Sequence, residues 1–194
     1  MAGITPSQTV GPFFAFGLDP KGDYNWAQTF SNDLTADAAG ERIRVEGRVL
    51  DGDGKPVNDS MIEIWQADAA GRYAHPADTR RPNAKFTGFG RTGTDAQGAF
   101  SFTTIKPGSV PSPDGKMQAP HILLAVFARG MPRQSYTRIY FADEAGNAND
   151  PILALVPADR RSTLIAKRKA KNGQPVYIFD IRLQGQGETV FFEI

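Results

Sequence analysis

His75 and His121 are the only imidazoles in 194 residues, and no cysteine accompanies them. That pair already limits the chemistry. A Ser–His–Asp arrangement needs a nucleophile on a sharp turn, and no G-x-S-x-G elbow is present. The phosphate cradle of a P-loop, a G-x-G-x-x-G turn after a strand and the H-E-x-x-H zinc motif are also missing, so nucleotide and zincin readings lack support. Zero cysteines exclude disulfides, thiolate catalysis and cysteine metal sites. Asp51, Asp53 and Asp59 carry hard oxygen donors, but their spacing lacks the glycine and the bidentate glutamate of an EF-hand; they read as turn residues. His121 opens an apolar stretch and reads as a hydrogen-bonded core residue. His75 lies in a proline-flanked loop and reads as a surface residue. Twenty-two basic side chains against twenty-one acidic ones leave a net charge of +1, so no strong field points to nucleic acid or to an anionic membrane. No apolar run approaches the ~20 residues of a membrane span. The start MAGITPSQTVGPFF lacks a basic region followed by an apolar one, so no secretory leader is expected, and the cytoplasm is the expected compartment.

The elements that must position these groups alternate with a period of two. Ile43, Val45, Gly47 and Val49 alternate with Arg44, Glu46 and Arg48, the pattern of a half-buried strand. Asp51-Gly52-Asp53-Gly54 then supplies a tight turn. Met61, Ile62, Ile64 and Trp65 around Glu63 and Gln66 give a second strand, closed by Asp68-Ala69-Ala70-Gly71. Further strands are expected at Phe86–Thr92, Ala99–Ile105, His121–Ala128, Tyr136–Phe141, Val176–Leu183 and Thr189–Ile194. Twenty glycines and fourteen prolines, together about 18% of the chain, exceed the usual ~12% and indicate many turns. Regular βαβ spacing is absent. The expectation is an all-β fold, a two-sheet β-sandwich of about eight strands with a long irregular N-terminal arm and little helix. Residues 1–40 form that arm, broken by Pro6, Gly11, Pro12, Gly17, Pro20 and Gly22. Residues 72–85 and 106–120 read as irregular, Asn149–Val156 as a helical turn or two capped by Asn149 or Asp150, and Thr163–Lys169 as strand or helix. No repeat or linker divides the chain, so 1–194 reads as a single domain.

Five segments in order carry a family resemblance: Glu63-Ile64-Trp65-Gln66-Ala67-Asp68, Gly71-Arg72-Tyr73, Phe89-Gly90-Arg91-Thr92, Thr104-Ile105-Lys106-Pro107-Gly108 and Ala119-Pro120-His121-Ile122. With Thr5-Pro6-Ser7-Gln8-Thr9 at one end and Gln184-Gly185-Gln186-Gly187-Glu188-Thr189 near the other, the chain resembles the intradiol ring-cleavage dioxygenases over nearly its whole length. The resemblance implies a ferric ion held by two tyrosinates and two histidines, hard anionic oxygens that suit Fe(III) with imidazoles beside them. It places the first ligand at Tyr73 and the second just after Lys-Pro-Gly, where Val110 stands. The third and fourth fall at His121 and Leu123, an i, i+2 pair facing one side of a strand. An arginine preceding the histidine pair in iron-bearing members aligns with Gln118. Val110 and Leu123 cannot donate to a metal. The chain therefore reads as an iron-free alpha-type subunit of the family, with no catalytic residue of its own and Fe(III) expected on a beta-type partner subunit in an alpha–beta hetero-oligomer.

Its contribution is then expected at the rim of the partner's pocket for a catecholic benzoate, protocatechuate, and O2. The resemblance points to Thr9, Gly11, Pro12 and Phe13 in the arm, which docks on the partner, and to Arg129 after the His121–Ala128 strand. A guanidinium pairs bidentately with a carboxylate; Arg133 and Arg138 are rivals for that role. Two other readings stay open. One is a stand-alone β-sandwich binding module. The other is a homomeric iron enzyme using Tyr136 or Tyr140 beside Tyr73 and His121.

Overall fold

The computed structural model describes residues 18, 30–36, 38–80, 86–171 and 173–193. Their regular structure is β-strand with short 3-10 turns: β1 (Arg42–Leu50), β2 (Met61–Gln66), β3 (Phe89–Gly93), β4 (Ala99–Ile105), β5 (Val110–Pro111), β6 (Met117–Gln118), β7 (His121–Phe127), β8 (Ser135–Phe141), β9 (Ile165–Lys171), β10 (Gln174–Ile178) and β11 (Ile181–Arg182). The strands run in the order β11-β1-β10-β9-β8-β7-β2-β3, with β4 on β1 and β5 on β6. The β8–β9 link is two residue pairs long and parallel. It joins a half built on β1, β4, β9 and β10 to a half built on β3, β2, β7 and β8. No helix among the described residues is long and apolar enough to cross a membrane.

The period-two alternation sorts side chains as the sequence indicates. Ile43, Val45 and Val49 from β1 and Phe100 and Phe102 from β4 point into one core, where they meet Ile62 and Ile64 of β2, Ile122, Leu124 and Val126 of β7, and Ile139 of β8. Ile62, Ile122, Leu124, Val126 and Ile139 have no accessible surface; burial of each such side chain is worth ~1.5–3 kcal/mol. The opposite face of β2, β7 and β8 therefore carries Glu63 and Trp65, His121 and Leu123, and Tyr136, Arg138 and Tyr140.

Several expected boundaries shift, each for a tertiary reason. The stretch Val176–Leu183 forms two strands, because β1 pairs with β10 up to Ile178 and with β11 from Ile181. Between them the Phe179 amide donates to the Glu46 carbonyl (2.8 Å) and Asp180 accepts from the Arg48 amide (2.9 Å). A Cβ at Gly47 would lie 1.8 Å from the Phe179 carbonyl oxygen, so only glycine admits this crossing. The expected strand Thr189–Ile194 reduces to one bridge between Tyr136 and Phe192. Within 106–120 the short hairpin β5–β6 interrupts the irregular backbone. The open segment Thr163–Lys169 is a turn at Arg161–Leu164 followed by β9. Two 3-10 turns, Ala145–Asn149 and Leu153–Leu155, occupy the expected helical stretch, and Asp150 accepts from the Ile152 and Leu153 amides (2.9 and 2.7 Å).

Candidate functional site

The outer face of β2, β7 and β8 gathers the residues of interest at one end. Proline 120 delivers the chain into β7, and His121 stands at its first position, buried and opposite Tyr140 of β8. Its Nδ1 lies 2.8 Å from the Ala119 carbonyl oxygen. A carbonyl only accepts, so Nδ1 carries the proton and Nε2 presents a lone pair. The Ala119 amide in turn donates to Asp150 Oδ2 (2.7 Å), which fixes the segment that orients the ring.

Tyr73 reaches this lone pair from a loop whose shape is set by Asp68 and Gly71. Asp68 Oδ1 accepts from the amides of Ala70 and Arg72 (2.9 and 3.0 Å), and its Oδ2 from Arg72 Nε (3.1 Å). Gly71 adopts φ +72°, and a Cβ there would sit 1.9 Å from the Ser109 carbonyl oxygen. The loop is thereby pressed onto residues 107–110. The Tyr73 amide donates to Asp78 (2.8 Å), and Arg80 ties Asp78 back to the Gly71 carbonyl. The Tyr73 ring stacks on Trp65 (centroids 5.9 Å apart, planes at 10°), and its hydroxyl stands 3.5 Å from His121 Nε2. That is a long hydrogen bond, with the phenol as donor.

So the fold brings Tyr73 and His121 together, as the resemblance implies. Val110 is buried on β5, paired with Gln118 of β6, and Leu123 lies two residues along β7 from His121. Neither supplies a donor. A residue of different character sits across from Leu123: Arg138 of β8. Its Nη1 donates to Gln118 Oε1 (2.7 Å) and approaches Tyr140 Oη at 3.5 Å, while Tyr140 donates to Asp150 Oδ1 (3.0 Å). The sequence reading placed Arg138 only among rivals for a substrate carboxylate and Asp150 only among caps. The signal available was the alternation Tyr136, Arg138, Tyr140, which puts all three on His121's side of the sheet.

The protonation states follow from burial. Desolvation pushes the His121 pKa down to about 4, and the Arg138 charge adds to that fall against the Ala119 carbonyl and Asp150. Desolvation raises the Tyr73 and Tyr140 hydroxyls, with Arg138 opposing in each case. At neutral pH the cleft therefore holds a neutral imidazole, two phenols and one guanidinium.

This set does not fit a ferric ion. Two of the four donor positions are hydrocarbon, and a fixed cation stands among the remaining groups. Asp150, the carboxylate beside Tyr140, already accepts four hydrogen bonds. Tyr140 lies beside His121 (centroids 5.9 Å), but its hydroxyl is committed to Asp150. Tyr136 is a further two residues along β8, and its oxygen accepts from Gln134 (2.9 Å). Among the described residues, no group of three or more His, Cys, Asp or Glu could hold a metal.

The other expected site residues lie elsewhere. Arg129 is exposed in the turn after β7 and pairs with Asp59 (2.5 Å). It stands at the far end of the strand from His121, ~25 Å away at ~3.3 Å per residue. Arg133, also exposed, faces Glu193 at 3.4 Å. Thr9, Gly11, Pro12 and Phe13 lie outside the described residues. His75 is exposed, as expected, and its Nδ1 accepts from the Ala77 amide (3.1 Å). A cavity of about 550 Å³ opens beside the cleft, lined by Trp65, Tyr73, His75, Arg80 and Pro111 among others. A larger depression of about 650 Å³ lies across β1 and β4; its Arg44 and Arg48 are engaged with Glu46 and Asp180, and it is remote from this chemistry.

Comparison with known proteins agrees with the geometry. A dioxygenase family profile matches residues 11–185. The chain is 49% identical over 196 residues to a protocatechuate 3,4-dioxygenase alpha chain of Burkholderia cepacia, covering 98% of this chain and 97% of that one. It is 38% identical over 172 residues to the protocatechuate 3,4-dioxygenase beta chain of the same organism, covering 81% and 73%. Among solved structures, the dioxygenase domain of a dioxygenase–carbohydrate-binding fusion from Streptomyces sp. SirexAA-E superposes with a TM-score of 0.61 at 25% identity, over 85% of this chain and 96% of that domain.

Proposed function

The chain belongs to the intradiol dioxygenase family, a family that works with Fe(III), and from that premise we propose that it is the iron-free alpha subunit of a protocatechuate 3,4-dioxygenase. The assembled enzyme adds both atoms of O2 to 3,4-dihydroxybenzoate and opens the ring between its hydroxylated carbons, giving 3-carboxy-cis,cis-muconate. The iron that supplies this chemistry belongs to a beta subunit paired with this chain. One observation carries the reading: the cleft retains Tyr73 and His121 3.5 Å apart but has Val110 and Leu123 at the other two ligand positions and the Arg138 cation in their midst.

This chain's own task is to bind and orient at the rim of the partner's pocket. Arg129 is suited to it: 64% of its side chain is exposed, and its single partner, Asp59, lies at the surface. A substrate carboxylate can displace so exposed a pair at little cost, since such pairs contribute only ~0–1 kcal/mol. Thr9, Gly11, Pro12 and Phe13 supply the second contact, where glycine permits close backbone approach and proline limits the chain's freedom. A single domain spanning 1–194, with the arm 1–40 docked on the partner, is the arrangement this requires.

The test is co-production with the beta chain, followed by O2 uptake on 3,4-dihydroxybenzoate. Activity should need both chains. Arg129→Met should raise KM about tenfold or more, the scale of a lost charge-assisted hydrogen bond, with a smaller change in kcat. Ring opening by this chain alone would overturn the subunit reading. An unchanged KM in Arg129→Met would remove Arg129 from the pocket.

A further inference from the structure

We propose that the cleft of this chain is a binding site for a small aromatic carboxylate, anchored by Arg138. Arg138 is half-buried on the sheet face, where a cation without a counter-charge is costly. The arginines around it on the same half are matched: Arg72, Arg80, Arg91 and Arg129 each hold a carboxylate within 3.1 Å. Arg138 does not. Its Nη1 serves two neutral acceptors, Gln118 Oε1 and Tyr140 Oη, and its Nε and Nη2 have no hydrogen-bond partner among the described residues. Three N–H donors and one positive charge are thus left for an anion, and the planar fork of a guanidinium matches a carboxylate.

The surroundings select a flat, apolar body for that anion. Trp65 and Arg138 flank Leu123 on its two neighbouring strands, so their backbones stand two strand spacings apart, ~10 Å. Leu123 forms an aliphatic floor between them. Trp65 and Tyr73, stacked in parallel, make an aromatic wall on the side away from the charge, and the cavity of about 550 Å³ reaches that wall. A benzoate-sized acid spans this distance, with its carboxylate on Arg138 and its ring toward Trp65. Such a site would exist whichever chain holds the iron.

Equilibrium dialysis of the full chain, in the assembly in which it purifies, with radiolabelled benzoate is the test. The number of benzoate sites per chain should fall by one in Arg138→Gln. Trp65→Leu should keep the site and weaken it about tenfold, the scale of one aromatic contact. Leu123→Glu provides an internal carboxylate directly opposite Arg138. It should abolish the same site and raise the melting temperature by ~2–4 °C, the shift that a modest gain gives a chain of this size. Equal site numbers in wild type and Arg138→Gln would overturn the proposal. So would a fall in melting temperature for Leu123→Glu, since an unpaired buried carboxylate destabilises. Acetate competing as well as benzoate would overturn the aromatic class of the ligand.

Discussion

His121 should make the stability of this protein depend on pH in a window that can be calculated in advance. Its ordinary pKa is 6.5, and burial with the nearby Arg138 charge pushes it down to about 4 in the folded chain. Between those values the unfolded chain binds a proton that the folded one excludes. The contribution of this group is therefore fully present above pH ~6.5, declines as the pH falls toward 4, and is lost below that. At ~1.4 kcal/mol per pH unit the whole interval is worth ~3 kcal/mol. The perturbation is His121→Gln, which keeps a donor for the Ala119 carbonyl and removes the titration. Denaturant unfolding of wild type and variant from pH 4 to 7.5 gives two stability profiles. Titrating groups common to both cancel in the difference, as does the pH-independent loss of the contact with Tyr73. Wild type should lose ~3 kcal/mol more than the variant across the window. With only two histidines in the chain, the imidazole proton resonances can assign the titration directly. Parallel profiles, or a His121 resonance titrating near 6.5, would refute the description of a buried neutral imidazole.

Other consequences concern the residues that hold the cleft together. Asp150→Ala removes the acceptor of four hydrogen bonds, from the Ala119, Ile152 and Leu153 amides and the Tyr140 hydroxyl. Stranding buried donors of this kind should cost ~3–5 kcal/mol, whereas Tyr140→Phe should cost only ~1 kcal/mol; thermal unfolding of both variants checks the ratio. Gly71→Ala combines a φ of +72° with a Cβ 1.9 Å from the Ser109 carbonyl oxygen. It should lose at least ~2 kcal/mol and weaken the near-ultraviolet circular dichroism of the stacked Trp65–Tyr73 pair. An unchanged spectrum would mean that this packing does not position Tyr73.

Much of the fold is legible because burial is written in alternation. Ile43, Val45 and Val49, and Ile62 and Ile64, mark their strands almost to the residue, since each apolar side chain repeats with the pleat. Where a boundary depends on a distant contact, the sequence is silent. The break between Ile178 and Ile181 exists because the Phe179 carbonyl crosses Gly47, more than 130 residues away in the chain. The C-terminal Thr189–Ile194 stretch alternates like a strand yet finds only the one bridge of Phe192 to Tyr136. In the cleft, Tyr73 and His121 are legible through the family's motif order, and the structure places them in contact. Arg138 and Asp150 belong to no motif. Their importance comes from register, Arg138 opposite Leu123 and Asp150 beneath Tyr140, and register across strands is not a property of any local segment.

The central claim is that this chain folds like an iron enzyme without holding the iron. Its most direct test is the iron content of the full chain produced without its partner in iron-replete cells. Two surviving donors beside a fixed guanidinium should retain less than about a tenth of an iron per chain, because affinity requires a complete, deprotonated ligand set. Near-stoichiometric iron would contradict the account and give this chain a catalytic centre of its own.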